Sequence, residues 1–468
     1  MHYKKIALFI VVAGTIGFAS HQFFANVVST PSTTAHCSNT TKKTNESPSK
    51  AACCQLPKAK ATLVASTEER PKGCVFRTIF KEESATGYLH YKTPKKIQSS
   101  IDKGLKWVLK AQQKNGGWGA GLHAMQHIQD PHAVKTDPAT TAMVSMALLR
   151  CGSTLEKGEH ASSLVKATNY LLKEIESTQK EAYITNKRGT QIQSKLGQNI
   201  DAVVTAQYFS NLLTKTDDSH QLVASIKDAL DICVKKIQDT QDVNGRTAGG
   251  SWAGVLQSSM ANSALEAAEA NGATVDAKKL KKAKDYQVSN YDAENETVNT
   301  ADGAGIMLYA MSGSVRGSAK SARNVREKIE KAKKEGALKK DAKVSIETLE
   351  DIGYTREEAA ELNTSYRVYE SAKKQAQTSR VMNGFGNNGG EEFISFLQTG
   401  ESMIVGKDDA WKKWYDDVSA KMLAIQNPDG SWNGHHCITS PSFCTATCLL
   451  ILSINNDADI LMTMGEVK

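Results

Sequence analysis

The chain has 468 residues, 40% of them hydrophobic, with nine prolines and a formal net charge of +8. Long stretches of Ala, Leu, Lys and Glu with so few prolines argue against a β-protein and predict an all-α fold. The charge is modest, and its densest stretch, Arg316 to Lys343, is interleaved with Glu327, Glu330, Glu335 and Asp341, the pattern of a solvated helix; no nucleic-acid partner is expected.

The first residues read separately from the rest. Met1 to Lys5 form a basic head, and Ile6 to Phe18 form an apolar run too short to span a bilayer comfortably and right for the core of a signal peptide. Gly17 and Ala19 place cleavage after Ala19, with Ala25 as second choice, so residues 1–19 are expected to be removed and the protein exported to a periplasmic or extracellular site. Membrane association is expected only if this segment stays uncleaved. Residues 20–94 are expected to be a linker, because the Thr, Ser, Lys, Ala and Pro that dominate it bury too little apolar surface to offset ordering. The nine cysteines form no disulfide framework: Cys37, Cys53, Cys54 and Cys74 lie in the linker, Cys151 and Cys233 fall on helical patterns, and Cys437, Cys444 and Cys448 cluster near the end.

From Lys95 the periodicity is helical. Ile97, Ile101, Leu105, Val108 and Leu109 share one stripe, which predicts an amphipathic helix over 95–114. Asp137-Pro138 then opens a helix through Leu149, with Asp as the cap and Pro at the first helical position. That helix is apolar on all faces, so it is expected to be buried. Further inner helices are predicted over 200–213, 256–270, 303–311, 391–399 and 442–454, with starts near Asn199, Gly254, Asp302, Gly390 and Cys437. The starts recur every ~45–60 residues except between the fourth and fifth, which places a helical insertion at 314–384. Six inner and six outer helices over 95–455 are the count of a closed (α/α)6 toroid, followed by a tail over 456–468.

One phrase recurs along this stretch. Gln112-Gln113-Lys114-Asn115-Gly116-Gly117-Trp118 is echoed between Gln238 and Gly249-Gly250-Ser251-Trp252, and by Gln426-Asn427-Pro428-Asp429-Gly430-Ser431-Trp432. In each copy glycines end a helix and a Trp is placed to lie buried across the helix pair. The phrase resembles the QW repeat of squalene and oxidosqualene cyclases and the related repeat of protein prenyltransferase β subunits. That resemblance implies a toroid with a central cavity. It does not bring the catalytic motifs with it: the cyclase acid Asp-x-Asp-Asp has only Thr216-Asp217-Asp218 and Lys407-Asp408-Asp409 as partial matches. The prenyltransferase Asp-x-Cys is missing beside Trp252, and Asp231-Ile232-Cys233 falls within an outer helix. The Gly-Cys-Gly-Glu-Gln of complement-type thioester toroids is absent as well.

In such a toroid the loops that lead into inner helices share one mouth. This gathers His123, His127, Asp130, His132, Asp137, Asn199, Asp201, Ser251, Gln257, Asp302, Glu391, Glu392, His435, His436 and Cys437. Among them His132, Asp137, Asp302 and His435 are the candidate catalytic residues, with Asp302 as an acid at the start of a buried helix. His132, His435, His436 and Cys437 are the candidate metal ligands, a set of N and S donors that suits zinc. Two functions follow as expectations. The first is an exported binding protein that takes an apolar small molecule in its cavity or a peptide or protein at its mouth. The second is a zinc-dependent transferase, cyclase or lyase acting on an isoprenoid or other substrate.

Overall fold

The computed structural model describes residues 91–247 and 250–464. The expected signal peptide, nearly all of the linker, and Cys37, Cys53, Cys54 and Cys74 lie outside the described residues. The protein is all-α, as its composition predicts, with a single pair of two-residue strands, β1 (Tyr291–Asp292) and β2 (Thr297–Val298), among the described residues.

The helices alternate between amphipathic ones and ones buried on most sides. The amphipathic set is α1 (Lys95–Lys110), α3 (Ala161–Ser177), α6 (Val223–Asp239), α8 (Ala277–Ser289), α11 (Arg356–Ala376) and α14 (Trp411–Ala424). The second set is α2 (Pro138–Arg150), α5 (Ile200–Thr214), α7 (Gly254–Ala270), α9 (Met307–Lys334), α13 (Glu391–Val405) and α15 (Pro441–Leu452), of which α9 is buried over its first half and charged over its far end. Every residue of α2 and of α15 is buried, whereas α1 buries only the stripe that includes Ile97, Ile101, Leu105 and Val108. Helices apolar on most sides must be surrounded, and they are: α2 packs on α5, α5 on α7, α7 on α9, α9 on α13, α13 on α15, and α15 returns to α2. The amphipathic helices pack outside this cycle, with α1 on α15, α3 on α2, α6 on α5, α8 on α7 and α9, α11 on α9, and α14 on α13 and α15.

The repeated turns join neighbouring outer helices. Gln112 Nε2 donates to the Gly116 carbonyl of its own turn at 2.8 Å and to Ser163 O on α3 at 2.9 Å. Gln241 does the same to Gly245 O and to Lys279 O on α8, and Gln426 to Gly430 O and to Ser100 O on α1. Gly116, Gly245 and Gly430 all hold φ between +91° and +96°, and a Cβ on any of them would collide with the backbone carbonyl of Lys166, Lys282 or Lys103 on the next outer helix. The second copy is therefore anchored by Gln241, and not by Gln238, which the spacing to Trp252 suggests. Trp118 and Trp432 are fully buried and donate through Nε1 to Val108 O and Met422 O.

Three expectations change. The fourth inner helix starts at Met307 and runs without a break to Lys334, so residues 314–384 are not one added block. They include α11, the outer neighbour of α9, and the short α12 (Ser379–Met382), and the far end of α9, α10 (Ile346–Asp351) and the start of α11 form a separate apolar cluster, built on Val325, Ile329, Leu349 and Ala359. The tail expected over 456–468 contains a helix, α16 (Ala458–Met464), which packs on α13 and α7. With Ile460, Leu461 and Met464 it covers an axial cavity of about 60 Å³ that is also lined by Met143, Arg150 and Gln398. That volume holds a few water molecules.

Candidate functional site

The N-termini of the inner helices meet on one face, tied together by side chains that cap them. Asp137 caps α2, accepting from Thr140 N and Ala120 N at 2.8 Å and from Thr140 Oγ1 at 3.0 Å. Beside it Asp201, in the first turn of α5, accepts from Ala139 N of α2 at 3.0 Å and from Gln193 Nε2 at 2.7 Å. Both carboxyls are fully buried; burial raises each, and Asp201, which also faces Asp137, is pushed up to about 7. Every oxygen of Asp137 is engaged in this capping, so the residue holds helices together and is not poised as a catalytic acid.

A short helix, α4 (Gln191–Leu196), lies across this face. Gln191 Oε1 accepts from Thr439 N at 2.8 Å and Ser440 N at 3.2 Å, which ties α4 to the start of α15. Four residues on, and so on the same side of α4, Lys195 reaches the segment before Thr439. Lys195 is 4% exposed; its ammonium lies 4.5 Å from the centre of the Trp252 ring, and its charge acts on the Cys437 thiol. Glu391, at the first position of α13, completes the group. It is 5% exposed, interacts with Lys195, Cys437 and Tyr309, and its Oε2 has no hydrogen-bond partner among the described residues. Gly389 makes the approach possible, since a Cβ there would collide with His436 O, Glu391 Oε2 and Cys437 Cβ together.

The charges of this group oppose one another. Burial raises the Cys437 thiol, Glu391 raises it further, and Lys195 works against both. Burial likewise raises Glu391, against its own and Ile438 backbone N–H groups, Lys195 and His436, and pushes Glu392 up to about 7. His123 is held below its usual value, first by burial and then by the Lys195 charge. Cys437 sits at φ +63°, a left-handed conformation rare outside glycine.

The histidines and the remaining carboxylate fall elsewhere or serve otherwise. His435 and His436 are exposed, with ring centroids 5.3 Å apart, and His436 Nδ1 is 3.0 Å from Cys437 Sγ. His132 is exposed on the outer loop, its Nε2 3.0 Å from Lys110 O and its backbone N–H on Asp130. Asp302 pairs with Arg246 at 2.6 Å and accepts from Tyr286 OH at 2.8 Å, in a 3-10 turn that precedes α9, so it is no free acid at a helix start. Among the described residues no three His, Cys, Asp or Glu side chains gather to hold a metal, which removes the proposed zinc set of His132, His435, His436 and Cys437.

The loops of this face also carry exposed apolar side chains. Leu122 and Met125 are 47% and 44% exposed and flank the turn at His123, whose backbone N–H bonds Gly189 O just before α4. Thr439 Oγ1 donates to Gln126 O, which joins this turn to the start of α15. Trp252 is 64% exposed, held by Ala253 N and Ser251 Oγ on the carbonyls of Lys195 and Leu196. Sequence reasoning collected Glu391 and Cys437 for this face but missed Lys195, which no motif marks, and expected Trp252 to be buried.

Residues 84–186 match the model of the A-macroglobulin TED domain, the thioester-containing domain of the macroglobulins. No curated protein matches the chain. The family match overturns the resemblance to squalene cyclases and protein prenyltransferases, and with it the expectation of an isoprenoid-type repeat protein. The Gln, Gly and Trp residues that carried that resemblance clasp outer helices together, a packing device that says nothing about substrate. Cys151 is the single cysteine of the matched segment; it lies at the end of α2, and no Gln stands three residues after it as in the thioester sequence.

Proposed function

We propose that the chain is an exported binding domain, similar in its first helices to a macroglobulin thioester domain, that holds a protein or peptide on the face where the inner helices begin. The single observation that carries this reading is the exposure of Trp252. An indole left two-thirds in water over Lys195, on a face whose loops also expose Leu122 and Met125, is an apolar surface of the kind that partners cover. At its centre the buried Lys195 and Glu391 supply opposite charges for fixing a bound segment. Thioester domains of this family are typically extracellular, which supports export.

The test is selection from a displayed library of cysteine-free peptides on the immobilised mature protein. Wild type should enrich a family of sequences with apolar anchors, and Trp252→Ala and Leu122→Ser should lose it. The same enrichment by the variants, or none by wild type, would end the reading.

A further inference from the structure

Binding at this face does not use the Cys437 thiol, the most unusual group there. We propose that Cys437 is a thiol–disulfide exchange nucleophile, attacking a disulfide presented at this face, with His436 as the acceptor of its proton and Lys195 steadying the sulfur. The proposal deepens the reading of this face as a binding surface, and it rests on that reading for the source of the disulfide.

Four observations support it. Cys437 and Cys151 are partly exposed, whereas Cys233, Cys444 and Cys448 are buried, and all the described cysteines are free. His436 Nδ1 lies 3.0 Å from Sγ, within reach of the thiol proton. The Lys195 ammonium is close enough to act on the sulfur and is shielded from water, so its attraction for a forming thiolate is weakly screened. Glu391, nine-tenths buried with one oxygen unpartnered among the described residues, converges on the same point and holds the thiol back at rest.

The backbone around the sulfur decides the class of electrophile. Acyl transfer needs free N–H donors to hold an oxyanion next to the nucleophile. Here the N–H groups of Thr439 and Ser440, which follow the sulfur, are spent on Gln191 Oε1. A disulfide needs no such donors, since charge in its exchange develops along the sulfurs. In the step, the Cys437 S–H proton passes to His436 and a bond forms between Sγ and one sulfur of the partner disulfide. The S–S bond of the partner breaks, and its second sulfur leaves with the electron pair and takes up a proton, so no outside oxidant or reductant is consumed.

The experiment treats the full mature protein with 4,4′-dithiodipyridine and follows each cysteine by peptide mass mapping. Cys437 should be modified at least ~10-fold faster than Cys151, which is likewise partly exposed. Lys195→Met should slow Cys437 by about tenfold, Lys195→Arg should restore most of the rate, and Glu391→Gln should speed it. Opposite signs for the two charge removals are what a merely structural role cannot give, and thermal melting confirms that each variant is folded. Modification of Cys437 no faster than that of Cys151, or equal rates in all variants, overturns the proposal. Because the probe is small and the peptide selection uses no cysteine, failure here leaves the binding result standing, and failure of the selection leaves this rate standing.

Discussion

In the turns at 112–118 and 426–432 the sixth residue after the clasping Gln is a Trp sealed between helices, whereas in the turn at 241–247 that place holds Thr247. The backbone does not notice the exchange. Thr247 N bonds Ser258 Oγ at 3.1 Å just as Trp118 N bonds Thr141 Oγ1 at 3.0 Å and Trp432 N bonds Thr445 Oγ1 at 2.9 Å. The turn is therefore made by the Gln clasp, the left-handed glycine and the hydroxyl on the next inner helix, and the Trp is filling. Where the filling is dispensed with, a Trp five residues later is free to stand in water over Lys195.

The largest test of this contrast is truncation of the buried indoles. Trp432→Ala should cost ~3–5 kcal/mol in chemical denaturation, since it empties a closed site and removes the bond to Met422 O. If Trp252→Ala costs as much, the two turns are not different in the way described. Gly116→Ala comes next, at about 1–3 kcal/mol, because alanine is strained at φ +91° and its methyl meets the Lys166 carbonyl. Gln426→Ala should cost ~1–2 kcal/mol by leaving Ser100 O and Gly430 O without their donor, and Gln241→Ala should match it if the clasp is the common element.

A smaller effect separates the polar joints from the apolar ones. Asp201 is raised by burial to about 7, so the folded state takes up its proton and this stabilisation is lost as pH rises through 7. Stability should fall by roughly 1 kcal/mol between pH 6 and 8 on this account, and Glu392, also near 7, should add a fall of the same sign. Asp201→Asn should remove the first part and leave the second. A stability profile that rises over that range in wild type would refute the assignment. Smallest of all, Trp252→Ala should change stability by less than ~0.5 kcal/mol while abolishing peptide enrichment.

Much of the fold could be read from residue patterns because those patterns are local. The Asp137-Pro138 start and the all-apolar run after it act within one or two turns of chain and are found where they were expected, whereas the Gln-to-Gly clasp, just as local, begins in its second copy at Gln241 and not at Gln238. The site was only partly legible. Glu391 and Cys437 stand at helix starts and could be collected from sequence, but Lys195 is one of many lysines and is buried only because Gln191, a turn earlier, grips the backbone of Thr439 and Ser440. His132 and Asp302 were misjudged for a related reason. Lys110 O, Arg246 and Tyr286 occupy them, and no spacing rule announces such partners.

By itself, then, the sequence determined the all-α class, the alternation of amphipathic helices with ones buried on most sides, and the turns that join them, since period, capping and left-handed glycine are properties of short segments. Which carboxylates are caps, which Trp is left in water, and which lysine meets which thiol were decided only in three dimensions. Those outcomes depend on contacts between residues hundreds of positions apart, such as Gln191 with Thr439, and on the burial that such contacts impose.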